Sequence, residues 1–146
     1  MTQLSIKFTG AELVRSGLQD LAAEIPKVGR LQIYRTEQAI VKRMKKYPPE
    51  RINQRYRRTG NLGRAWTITP LPNGYTLSNN VRSPQGVFYT KYVVGNAYGL
   101  DQAWMHISTD QGKRWPLLRD VQDEEVKKLP QEIDDAITVV ARRDGF

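Results

Sequence analysis

The sequence predicts an α+β fold: a small antiparallel sheet packed with N-terminal helices and a long C-terminal helix, with an extended basic loop. Three observations lead there. Apolar residues recur at helical spacing from Leu13 to Met44 and again from Leu118 to Val140. Around Pro72-Asn73-Gly74 they alternate at period two on both sides of a turn signal. Between these regions, Pro48 to Arg58 has no apolar period and is dense in arginine. A chain of 146 residues fits one domain, residues 1–146, and folding at that size hides roughly 70% of the unfolded surface.

In order along the chain, "LSIKF" alternates Leu4, Ile6 and Phe8 with polar neighbours and reads as a short strand, closed by Thr9 and Gly10. From Ala11, the residues Leu13, Val14, Leu18, Leu21, Ala22 and Ile25 share one helix face, which Pro26 is expected to stop or bend. A second helix is expected from Pro26, in the favoured first position, to about Tyr47, with Val28, Leu31, Ile33, Ile40, Val41 and Met44 as apolar positions. Pro48 and Pro49 end it. After the exposed loop of residues 48–58, Thr59 in "TGNLG" is placed to cap one helical turn, because its oxygen can accept from backbone N–H groups two or three residues on.

The hairpin comes next, with Trp66, Ile68 and Leu71 before the turn and Tyr75, Leu77 and Asn79 after it, followed by a loop through Ser83, Pro84 and Gly86. "VFYTKYVVG" crowds Phe88, Tyr89, Tyr92, Val93 and Val94 and reads as a helical turn leading into a strand, broken by Gly95. Asn96 to Trp115 reads as a loop pinned by Trp104, Met105, Ile107 and Trp115. The last element, Leu117 to Arg142, aligns Leu118, Val121, Val126, Leu129, Ile133, Ile137 and Val140 on one face, with "DEE" and "DD" on the wet side. Pro130 should kink it or divide it in two.

Charge is the most uneven property of the chain. Lys42, Arg43, Lys45, Lys46, Arg51, Arg55, Arg57, Arg58 and Arg64 face one acid, Glu50, so residues 42–64 carry the whole net charge of +8. With Tyr47, Tyr56 and Trp66 nearby, the segment has the ingredients of nucleic-acid binding, cations for phosphate and aromatic faces for stacking. The favoured reading is contact with an acidic protein surface, through Arg51, Arg55, Arg57, Arg58 and Arg64.

Other function classes find little material. There is no cysteine and one histidine, His106, so thiolate zinc sites, cysteine nucleophiles and His-paired serine chemistry have almost nothing to build on. No nucleotide-cradling glycine pattern follows a strand, and the glycines of "TGNLGRA" read as turn and close-approach positions. The expectation is a protein that is not an enzyme and has no catalytic residues, cofactor or metal. No apolar run approaches the ~18 residues a membrane span needs, and "MTQLSIKFTG" lacks a basic start and apolar run, so synthesis in the cytoplasm is expected.

"RYRRTGNLGRAWT", "VFYTKYVVGN", "QAWMH" and an amphipathic C-terminal helix together resemble the tailed-phage neck and minor-tail-component family, whose members complete the head-to-tail junction. That family reads Arg-Thr-Gly, any residue, Leu, then a basic or small residue leading into a strand, and later a Tyr-x-x-Tyr-Val-x-x-Gly type segment. Arg58, Thr59, Gly60, Leu62, Tyr89, Tyr92, Val93 and Gly95 match in order, with Trp66 opening the strand. The resemblance runs from Ala11 to about Ala141. It departs in the proline- and arginine-rich approach to the Arg-Thr-Gly, longer here than in the minimal pattern.

The resemblance implies a virion structural protein made in the host cytoplasm and located in the neck or tail. It would form a ring with itself, a hexamer, between a head-completion or connector protein and a tail terminator or tail tube protein, with DNA passing through the lumen and no membrane. The alternative is a nucleic-acid-binding accessory protein using residues 42–64 directly. An RNA-cleaving toxin ranks third, since it would need catalytic groups converging on a phosphate and only arginines and tyrosines are plentiful.

Overall fold

A computed structural model describes residues 11–46, 59–95 and 116–145. The "LSIKF" strand, the basic loop of residues 48–58 with Arg51, Arg55, Arg57 and Arg58, and the 96–115 loop with His106 lie outside the described residues. The architecture is α+β: helices α1 (Ala11–Met44), α2 (Asn61–Arg64), α3 (Thr90–Val94), α4 (Leu118–Val126) and α5 (Leu129–Arg143), with strands β1 (Trp66–Leu71) and β2 (Gly74–Asn79) between α2 and α3.

The first correction concerns α1. The expected pair of N-terminal helices is one continuous helix of 34 residues with Pro26 inside it, about 51 Å long at ~1.5 Å per residue. Proline removes the hydrogen bond to the carbonyl of Ala22. Both residues are exposed, so water can satisfy the freed oxygen and the helix continues. A second correction is at the other end, where the expected long helix over 117–142 is two helices, with Lys127 and Lys128 between them. Pro130 sits in the first turn of α5, where its missing N–H has no intrahelical partner to lose. Division was one of the two outcomes its position predicts.

The hairpin forms as its alternation predicts. β1 and β2 pair antiparallel from Trp66↔Asn79 to Leu71↔Gly74, leaving Pro72 and Asn73 as the turn. α1 grips its tip: Arg30 Nη2 donates to Leu71 O at 3.1 Å and its guanidinium lies over Tyr75, whose ring packs 5.1 Å from that of Tyr34. Leu71 itself is exposed rather than core.

The core gathers Ile40, Val41 and Met44 of α1, Leu62 of α2, Trp66 of β1, Val81 just after β2, Val93 and Val94 of α3, and Val121 of α4. α4 and α5 run back along α1, from Glu125 opposite Arg43 to Arg143 opposite Glu24. Beyond Glu24 no described element covers the apolar face of α1: Leu13, Val14 and Leu18, which share that face, are all exposed. Val126 of α4 is likewise exposed.

Candidate interaction surface

The basic segment leaves the described body at Lys46 and returns at Thr59, and both ends are anchored beside the same core through Met44 and Leu62. The return is a tight turn. Gly60 adopts φ 74°, a left-handed conformation that a side chain disfavours, and a Cβ there would meet Arg64 Nη1 at 3.4 Å. Arg64 Nη2 donates to Thr59 O at 2.7 Å and to Asn61 Oδ1 at 2.9 Å. Arg64 was expected among the docking arginines; it is exposed, but its guanidinium closes its own turn. Thr59 Oγ1 accepts from Asn61 N at 3.4 Å, long for such a bond, and the cap position belongs to Gly60. The expected threonine cap is therefore a weak one.

The cations of residues 42–64 divide into distinct groups. Lys42, Lys45 and Lys46 are exposed at the end of α1. Arg43 is held inward, its Nη2 2.6 Å from Glu124 and its Nη1 2.7 Å from Glu125, whose other oxygen takes Lys128 Nζ at 2.8 Å. The hydrogen bonds from Lys128 and Arg43 hold the Glu125 carboxyl below the usual carboxylate range. Glu125 is buried, which corrects the expectation that "DEE" lies wholly on the wet face. Among the described residues of this segment, free charge therefore rests on the three lysines.

The remaining motif residues are architectural. Trp66 is buried with no hydrogen-bond partner for Nε1 among the described residues, Tyr89 packs on the core, Tyr92 falls in α3, and Gly95 ends α3 with φ 71°. Sequence reasoning missed the residue that ties them together. Asn79 Nδ2 donates to Leu62 O at 2.8 Å, and its Oδ1 accepts from Val81 N at 3.2 Å and from the Thr90 hydroxyl at 3.0 Å. One carboxamide thus locks the turn, the strand end and α3. An asparagine closing an alternating strand on an inward register was the available signal.

A groove of about 470 Å³ runs between α1 and α5, with Gln32, Thr36 and Ala39 on one side and Glu132, Asp135 and Val139 on the other. Glu37, further along α1, has a buried Oε2 without a partner among the described residues, and burial raises its carboxyl pKa. Among the described residues no cluster of His, Cys, Asp or Glu is placed to hold a metal, and no helix is long and apolar enough to cross a membrane. Compared with known protein families, curated proteins and solved structures, the chain matches none.

Proposed function

We propose that this chain is a virion structural protein of a tailed bacteriophage, a ring-forming neck or tail-completion component that joins head to tail. The observation that carries the reading is the Thr59–Arg64 turn. Its family-like residues have structural reasons to be what they are: Gly60 for its φ of 74°, Leu62 for its place in the core. The turn delivers the chain from the basic segment straight into β1. A segment held at both ends beside one core suits an arm reaching from a subunit of a closed ring, where one surface meets a different surface of the next. Its role is docking onto an acidic neighbouring ring rather than lining the DNA channel, because a strongly basic pore would slow DNA by binding it.

Imaging of particles assembled with and without this chain tests the proposal. Without it, filled heads and separate tails are expected; joined virions whose necks lack the chain would overturn it. A paired measurement separates the nucleic-acid alternative. Nonspecific phosphate contact gives a Kd on the order of 10⁻⁴ to 10⁻⁶ M for random duplex near physiological salt. Tighter binding, with no recruitment to heads or tails, would favour the accessory-protein reading.

A further inference from the structure

We propose that the groove between α1 and α5 seats an arginine from residues 51–58 of a second copy of this chain. The inference rests on the ring reading above and names the acidic surface on which the arm docks. Its first ground is charge. Residues 129–141 contain Glu132, Asp134 and Asp135 and no cation, whereas residues 51–58 contain Arg51, Arg55, Arg57 and Arg58 and no acid. Glu132 and Asp135 stand three apart on α5, on neighbouring turns of one face, and both line the groove. Asp135 accepts one hydrogen bond, from Gln131 Nε2 at 2.8 Å, and Glu132 has no ion pair among the described residues.

The second ground is independent of charge. Gln32 lines the same groove, is only 6% exposed, and its carboxamide forms no hydrogen bond among the described residues. Neither of its polar atoms is a fully buried unsatisfied one among the described residues, so the carboxamide stands at the groove wall, where a visiting donor can reach its oxygen. Its neighbour Thr36 is already satisfied, donating to Gln32 O at 3.1 Å.

An arginine meets all of these demands together. Its aliphatic stem would lie along Ala39, Ala136 and Val139, and its planar fork of donors would reach two carboxylates and an amide oxygen at once. Arg35 at the groove offsets one negative charge, and Glu125 is already neutralised by Arg43 and Lys128. The attraction is therefore local and directional rather than a broad acidic field. Segment and groove are different surfaces of one molecule, as a closed ring of identical subunits requires.

The experiment uses the full chain in two forms: an arm variant with Arg51, Arg55, Arg57 and Arg58 each changed to Gln, and a groove variant carrying Glu132→Gln and Asp135→Asn. Both changed carboxylates are exposed, so circular dichroism should match the parent. A synthetic peptide of residues 50–59 titrated into the arm variant should bind saturably, and adding the groove changes should weaken it by about tenfold or more. Equal affinity with and without those changes, or no saturable binding, would overturn the groove assignment.

Mixing the arm variant with the groove variant above the peptide's Kd should then give a one-to-one dimer in sedimentation, since one intact arm meets one intact groove. A mixture that stays monomeric while the peptide still binds would place the arm in its own subunit and overturn the second-copy assignment. Necks that lack the chain, with peptide binding intact, would overturn the proposed function and leave the groove standing.

Discussion

The two halves of α1 are written in the same pattern and have opposite fates. Leu13, Val14, Leu18, Leu21 and Ile25 in the first half, and Ile33, Ile40, Val41 and Met44 in the second, recur at helical spacing. Yet Leu13 and Leu18 are 80% and 51% exposed, while Ile40 and Met44 are 1% and 0%. Periodicity decides which residues share a face. What covers that face is decided elsewhere in the chain: α2, the hairpin, α3 and α4 close over the second half, and no described element closes over the first. An amphipathic stripe reports the need for a partner and says nothing about where the partner is.

The largest effect that tests this contrast is truncation. Met44→Ala should lower unfolding stability by about 2–5 kcal/mol in urea melts, whereas Leu18→Ala should stay within about 0.5 kcal/mol. A comparable loss at Leu18 would break the comparison, because it would mean the rest of the chain covers the first half.

Pro26 sharpens it next. An interior proline disfavours a helix by about 3 kcal/mol relative to alanine, and here it lies on the side of the packed half that has no cover. Pro26→Ala should therefore slow amide exchange across Ala11–Ile25 while leaving the urea midpoint nearly unchanged. A midpoint that rises by the full amount would show the two halves unfolding as one unit.

Smaller effects come from two glutamates with opposite pH behaviour. Glu125 has a depressed folded pKa from its hydrogen bonds to Lys128 and Arg43, so its stabilisation is present above the unfolded pKa and is lost as pH falls through the folded one. Glu125→Gln should cost about 1–2 kcal/mol near neutral pH and progressively less in acid. Glu37 has a raised folded pKa from burial. Its penalty is absent in acid and grows as pH rises from the unfolded to the folded value, so Glu37→Gln should stabilise the protein at neutral pH and do little in acid. Urea midpoints followed from acid to neutral pH should give the two variants slopes of opposite sign.

What could be read from the sequence follows the range of the forces involved. The hairpin was legible because strand alternation and the Pro72-Asn73-Gly74 turn are local signals, and the register from Trp66↔Asn79 to Leu71↔Gly74 follows from them. The helical turn before Gly95 was legible, but the strand expected to follow it is not there: the helix runs from Thr90 to Val94 and Gly95 ends it. Pro26 misled because its lost hydrogen bond is a local cost, and exposure of the Ala22 carbonyl, a tertiary fact, decides whether that cost ends the helix. Glu125 misled because a helical wheel shows only neighbours on its own helix, and its partner Arg43 is 82 residues away. In the candidate surface, the charge concentration and Gly60 were legible, while the withdrawal of Arg43 and Arg64 and the hub at Asn79 needed contacts between elements.

The long reach from Arg43 to Glu125 also sets an order of events on the ribosome. At about 5–20 residues per second, the 82 residues between them take roughly 4–16 s to synthesise. The hairpin and α2 emerge well before α4 and α5, so Ile40 and Met44 gain their first cover early while the Gln32 and Thr36 side of the same helix waits. For those seconds the nascent chain holds a half-roofed helix, and the C-terminal pair acts as the closing piece whose arrival, rather than helix formation, completes the fold.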